Sequence, residues 1–155
     1  MKKVFLGICL LMFTSLVVFA DGNAAIIRQL IAQCEQSLDV RISINQTSDY
    51  RTIRRQAELM ANMTPSTRIS LYNNAYYVKE MNDNDNLSSS QKIDKFEQIL
   101  NAARRNGSRI SYHITGDAVD ITPSTQQVRN WFEKNGVSVL DETESGVMCW
   151  HLQLK

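Results

Sequence analysis

The stretch Ser111-Tyr112-His113-Ile114-Thr115-Gly116-Asp117-Ala118-Val119-Asp120-Ile121 sets a histidine and an aspartate seven positions apart around a glycine and small residues. Imidazole and carboxylate are both zinc donors, and His151 is the only other histidine in the chain. Two ligands in one segment with a third far along the chain fit a catalytic zinc better than a structural one. Catalytic sites use three protein ligands and leave the fourth position to water. Gly116 and Ala118 let the backbone bend between the two donors without filling the space a metal needs. Residues 109–113 and 118–121 on either side of Gly116 read as short strands.

Working outward, residues 88–106 give the clearest helix. Ile93, Phe96, Ile99, Leu100 and Ala103 form one stripe, serines open it, Arg104 and Arg105 suit the C-terminal dipole, and Gly107 is placed to end it. Thr122 and Pro123 read as the N-cap and first position of a helix that turns Val128, Trp131 and Phe132 inward and stops at Asn135-Gly136. Residues 137–140, a turn over 141–146, and residues 147–154 read as a hairpin. Alternation on its second strand puts His151 on one face with Cys149 and Gln153, and Trp150 and Leu152 on the other, so His151 can converge with His113 and Asp120.

Toward the N-terminus, residues 23–38 carry Ile26, Ile27, Leu30, Ile31, Cys34 and Leu38 at helical spacing, and Val40, Ile42 and Ile44 then alternate as a strand. A turn over 45–50 leads to a helix over 52–63, closed by Thr64-Pro65. Residues 66–86 suggest a partly packed segment around Tyr72, Tyr76, Tyr77 and Val78, followed by an exposed loop over 82–86. Helices flanking a small antiparallel sheet make an α+β domain.

Lys2 and Lys3 precede the apolar run VFLGICLLMFTSLVVFA over residues 4–20, the layout of a secretory signal peptide with cleavage after Ala20. The expected mature domain covers residues 21–155, a size suited to one core. Its 15 basic residues face 16 acidic ones, a net charge of −1, which gives no field for nucleic acid. Cys34 and Cys149 remain in a compartment that permits disulfides, and either a bridge or two buried thiols suits them. Nothing in the sequence signals an oligomer, so a secreted or periplasmic monomer, free of the membrane after cleavage, is expected.

Ser111, His113, Gly116, Ala118 and Asp120 together resemble the SxHxxGxAxD signature of the D-alanyl-D-alanine zinc peptidase family, which comprises carboxypeptidases, dipeptidases and endolysins acting on peptidoglycan peptides. Ser48-Asp49-Tyr50-Arg51-Thr52 followed by Gln56 is similar to the family's S-G-Y-R-[ST]-x-x-x-Q segment, and Trp150-His151 to its terminal W-H pair. The resemblance implies a zinc peptidase-like fold of the hedgehog and D-Ala-D-Ala peptidase type. It also implies zinc held by His113, Asp120 and His151, Arg51 in the pocket to pair with a peptide carboxylate or polarise a carbonyl, and Ser111 hydrogen-bonding substrate or loop. The implied substrate is a peptidoglycan stem peptide.

One position departs from the family pattern. The usual glutamate three residues before the last histidine, which moves a proton between water and the leaving amine, is Met148 here. Glu144, seven residues before His151, is the nearest upstream acid and the expected substitute; Asp141 and Glu142 lie just before it. A domain that keeps the pocket, and with it the metal, but has lost catalysis is the alternative that Met148 raises.

Overall fold

A computed structural model describes residues 22–45 and 50–155. The signal segment and the Ser48-Asp49 part of the upstream motif lie outside the described residues. The described chain is α+β: six α-helices and one three-stranded antiparallel sheet.

Helix α1 (Ala24–Leu38) buries Ile27, Ile31 and Cys34, the face that its three-and-four spacing predicts. The expected strand after it shrinks to a bridge between Ile44 and Ile121. Glu35 Oε1 takes the Ile42 N–H at 2.8 Å, so ladder bonds form only from residues 43–45: Asn45 N–H donates to Asp120 and Thr122 N–H to Ser43. Helix α2 (Ile53–Ala61) starts on Thr52, whose hydroxyl accepts from Arg55 N–H.

Residues 65–83, illegible as a pattern, form two further helices, α3 (Pro65–Leu71) and α4 (Ala75–Asp83). What holds them is Arg68, fully buried, which donates to the Met60 and Met63 carbonyls, to Asn82 Oδ1 and to Asp85 Oδ1 and lies over the Phe96 ring. A buried guanidinium is tolerated because it is paired and its donors are occupied. The expected exposed loop at 82–86 is therefore corrected: it is the end of α4 and a turn pinned to that cation.

Helix α5 (Ser89–Arg105) matches its sequence stripe and opens with the Ser88 N–H and hydroxyl both reaching Gln91 Oε1. Between α5 and strand β1 (Ala118–Ile121) no strand forms over 109–113; Tyr112–Ile114 is a 3-10 turn and Gly116 has φ 70°. Helix α6 (Gln126–Lys134) begins later than Thr122-Pro123 suggests: Thr122 N–H extends the pairing with Ser43, and Thr125 is the N-cap, its hydroxyl accepting from Val128 N–H. Strands β2 (Val137–Asp141) and β3 (Trp150–Leu154) form the hairpin, with the 3-10 turn Thr143–Ser145 in the connection.

The strand order is β1-β3-β2, so β3 is central. Its Trp150 and Leu152 join Val119, Ile121, Val137 and Val139 in a core shared with α1 and α6. A second core of Ala57, Met60, Tyr77, Met81, Phe96, Ile99, Leu100 and Ala103 joins α2, α4 and α5. The opposite face of the sheet, carrying Asp120 and His151, looks toward the seam between these two cores. Cys34 and Cys149 are both buried free thiols.

Candidate metal centre

The pleat alone brings two donors together. In the β1/β3 ladder Asp120 is the direct partner of His151, flanked by the Val119–Leu152 and Ile121–Trp150 pairs, whose side chains go to the core. Directly opposite residues share a face, so Asp120 and His151 meet on the other side. His113 arrives from the 3-10 turn, where the Arg51 N–H donates to its carbonyl at 2.9 Å. The start of the described chain braces the loop between His113 and Asp120: Ala24 N–H donates to the Gly116 carbonyl and Asn23 N–H to Asp117 Oδ1.

His113 Nε2, His151 Nδ1 and Asp120 Oδ1 form a triangle, with 3.1 Å between the nitrogens, 3.0 Å from His151 to the carboxylate and 3.1 Å from His113 to it. All three residues are buried. Each imidazole can place at most one proton at the vertex it contributes, so the three contacts cannot all be hydrogen bonds at once. A cation would satisfy all three lone pairs. Tetrahedral zinc at 2.0–2.2 Å from its donors needs them about 3.3 Å apart, and the triangle is within a few tenths of an ångström of that spacing. His113, Asp120 and His151 are therefore able to hold a metal ion. His113 Nδ1 has no hydrogen-bond partner among the described residues. The outer acceptor that commonly fixes a metal-bound imidazole is not among them, and packing holds the ring instead, edge-on to His151 at 4.8 Å.

Burial by itself raises the Asp120 pKa, but hydrogen bonds from His113 and His151 and the Arg51 charge outweigh it, and the carboxyl is held far below the usual range. Arg51 Nη2 donates to Asp120 Oδ2 and Nη1 reaches Gln56 Oε1 at 3.5 Å. Gln56 is fully buried and also takes the Ser111 hydroxyl at 3.3 Å while donating to Tyr72 OH at 2.9 Å. It thus links the cavity arginine, the motif serine and a tyrosine of the cavity wall. In the sequence Gln56 stood only as the last residue of the arginine motif, with no role of its own.

A cavity of about 280 Å³ opens over these groups. Arg51, Ser111, His113, Asp120 and His151 line it, with an aliphatic wall that includes Leu59, Met63, Leu71 and Val147. Burial pushes the Tyr72 hydroxyl up, and the Glu142 charge pushes it further. Glu144 is exposed and lies outside the residues that line the cavity; the acid that lines it besides Asp120 is Glu142. Met148 is 74 % exposed and also lies outside the lining.

The hairpin explains the placement of Glu142. Leu140 pairs with His151 on the cavity face, and two positions further along, past the Asp141–Trp150 pair, Glu142 N–H donates to the Cys149 carbonyl at 3.1 Å. The alternation of buried Val137 and Val139 carried this signal in the sequence, since period two continues through Leu140 to Glu142 on the opposite face. Cys149 donates its thiol to Glu142 Oε2 at 3.2 Å, and burial, with the Asp120 and Glu142 charges, pushes that thiol well up. Cys149 is not one of the three donors.

Comparison with protein-family models, with curated proteins and with solved structures gives no match for this chain.

Proposed function

We propose that the chain is an exported, monomeric zinc peptidase of the D-alanyl-D-alanine type, with a zinc peptidase-like fold, acting on peptidoglycan stem peptides. The observation that carries this reading is the buried His113, Asp120 and His151 triangle opening onto a cavity that also contains an arginine and a glutamate. Zinc there would polarise the scissile carbonyl and make water acidic enough to react near neutral pH. Asp120 is held ionised by Arg51 and so supplies one negative charge to the site. Arg51, kept in place by Asp120 and Gln56, pairs with a peptide carboxylate or polarises a carbonyl. Ser111 holds the wall beside it through Gln56. Glu142, rather than Glu144, takes the proton of the attacking water and returns it to the leaving amine, because it is the cavity acid that does not belong to the triangle.

Purified protein should contain about one zinc per chain, and His113→Ala should lose it, since each missing ligand weakens the site steeply. The same preparation should hydrolyse peptides ending in D-Ala-D-Ala. Absence of bound metal in unmutated protein, after incubation with zinc, overturns the reading. Met148 at the usual glutamate position favours a second reading, a peptide-binding domain that has lost catalysis. Zinc-loaded protein that binds such peptides without turnover selects it.

A further inference from the structure

Arg109 lines the cavity beside Ile110 and Ser111. Its guanidinium lies 4.8 Å over the Tyr112 ring, and the Tyr112 ring in turn stands edge-on to His151 at 6.2 Å. Among the described residues its ion-pair partner is Asp117, 3.7 Å away and also bonded by the Thr115 hydroxyl and Asn23 N–H. Stacking on an aromatic face restricts the long side chain before any ligand arrives, and a guanidinium is the side chain best shaped for a carboxylate. An adjoining cavity of about 200 Å³ has Arg109, Ile110 and Ser111 as a wall in common with the first. Arg104 and Arg109 line this second cavity, and among the described residues no carboxylate does. The two cavities thus differ in charge: Asp120 and Glu142 line the first beside Arg51 and Arg109, whereas among the described residues the charged side chains lining the second are Arg104 and Arg109.

We propose that Arg109, with Arg104 beyond it, is a specificity element that reads a carboxylate on the bound peptide separate from the group held at Arg51. This rests on the peptide-cleaving reading above. The carboxylate is either the peptide's C-terminus or an acidic side chain a residue or two from the scissile bond, and the chemistry of recognition is the same for both.

Four peptides separate the sources: N-acetyl-Glu-Ala-D-Ala-D-Ala, its Gln counterpart, and the C-terminal amide of each. In zinc-loaded protein, Arg109→Gln should raise KM about tenfold, with kcat nearly unchanged and zinc content intact, for peptides that carry the recognised carboxylate. It should leave peptides lacking that carboxylate unaffected, and Arg109→Lys should recover part of the loss. If the glutamate is the recognised group, the Glu/Gln contrast disappears in Arg109→Gln; if the terminus is, the acid/amide contrast does. Should the protein bind without cleaving, Kd from calorimetry replaces KM, so that failure of the peptidase reading and failure of this one are told apart. An equal effect of Arg109→Gln on all four peptides, or no binding of any of them at millimolar concentration, overturns the proposal.

Discussion

Replacing Glu142 by Gln isolates proton transfer from everything else in the cavity. Gln keeps the size of the side chain and an oxygen that can still accept the Cys149 thiol, so the bond at 3.2 Å survives the change. The connection around it is held by backbone groups, Glu142 N–H to Cys149 and Val147 N–H to Glu142, which the substitution does not touch. Folding stability should therefore change by less than about 1 kcal/mol, the scale of one neutral hydrogen bond. The carboxylate, however, is gone. General-base catalysis is commonly worth about a hundred- to ten-thousandfold, or roughly 2.7 to 5.4 kcal/mol of barrier at about 1.36 kcal/mol per factor of ten. Turnover of a D-Ala-D-Ala peptide should fall by at least a hundredfold while zinc content and melting temperature hold. Glu144→Gln, made at an exposed position outside the cavity, should stay within about twofold of wild type. Full turnover in Glu142→Gln at full zinc occupancy would refute the assignment, and a loss confined to Glu144→Gln would return the role to the acid nearest in sequence.

Two further outcomes test the scaffold. Asp85→Asn should cost about 1–2 kcal/mol in chemical denaturation, since it leaves the buried Arg68 with neutral partners only and removes a charged hydrogen bond. Partial burial raises the Asp85 pKa, but Arg68 and Lys92 outweigh that and hold it below the ordinary value. A carboxyl depressed on folding stabilises above its unfolded pKa of about 3.9, and this contribution is lost as pH falls through the folded value. Wild type should thus lose more stability than Asp85→Asn between pH 5 and 3 on that scale, and parallel pH profiles of the two proteins would contradict the pairing. Gly22→Val puts a Cβ 2.3 Å from the Gly116 carbonyl, on a residue at φ 50°. Its melting temperature should drop by roughly 5 °C or more, and competition with a chelator should show weaker zinc retention, because the displaced loop joins two ligands.

The sequence made α1, α5 and the hairpin legible because each buries one continuous apolar face, and a periodic pattern reports that situation directly. Residues 40–44 alternate like a strand, yet Glu35 claims the Ile42 N–H, a tertiary bond that periodicity does not encode. Residues 65–83 were opaque for a different reason. Helix α3 buries only Arg68, and an arginine in sequence reads as solvated; α4 buries Tyr77, Val78 and Met81, a stripe of little more than one turn that is too short to read as a period. At the site, His113, Asp120 and His151 were visible as residue types and spacing, and the cross-strand register explains why two of them meet. Glu142 was hidden by counting along the chain toward His151, when the relevant measure was position across the hairpin. Gln56 was hidden because a buried amide announces itself only through what it bonds.

Because Asp120 and His151 are paired across β1 and β3 while their neighbours fill the core, neither strand can gain or lose a residue without moving a ligand and a core side chain together. Residues 143–148 carry no such double duty. That connection can change length and composition while both ends of the ladder stay fixed, and Glu142 and Val147 at its edges belong to the cavity rim. The molecule thus separates a part where an insertion displaces the core and the candidate triangle together from an adjacent part where it reshapes the cavity rim alone.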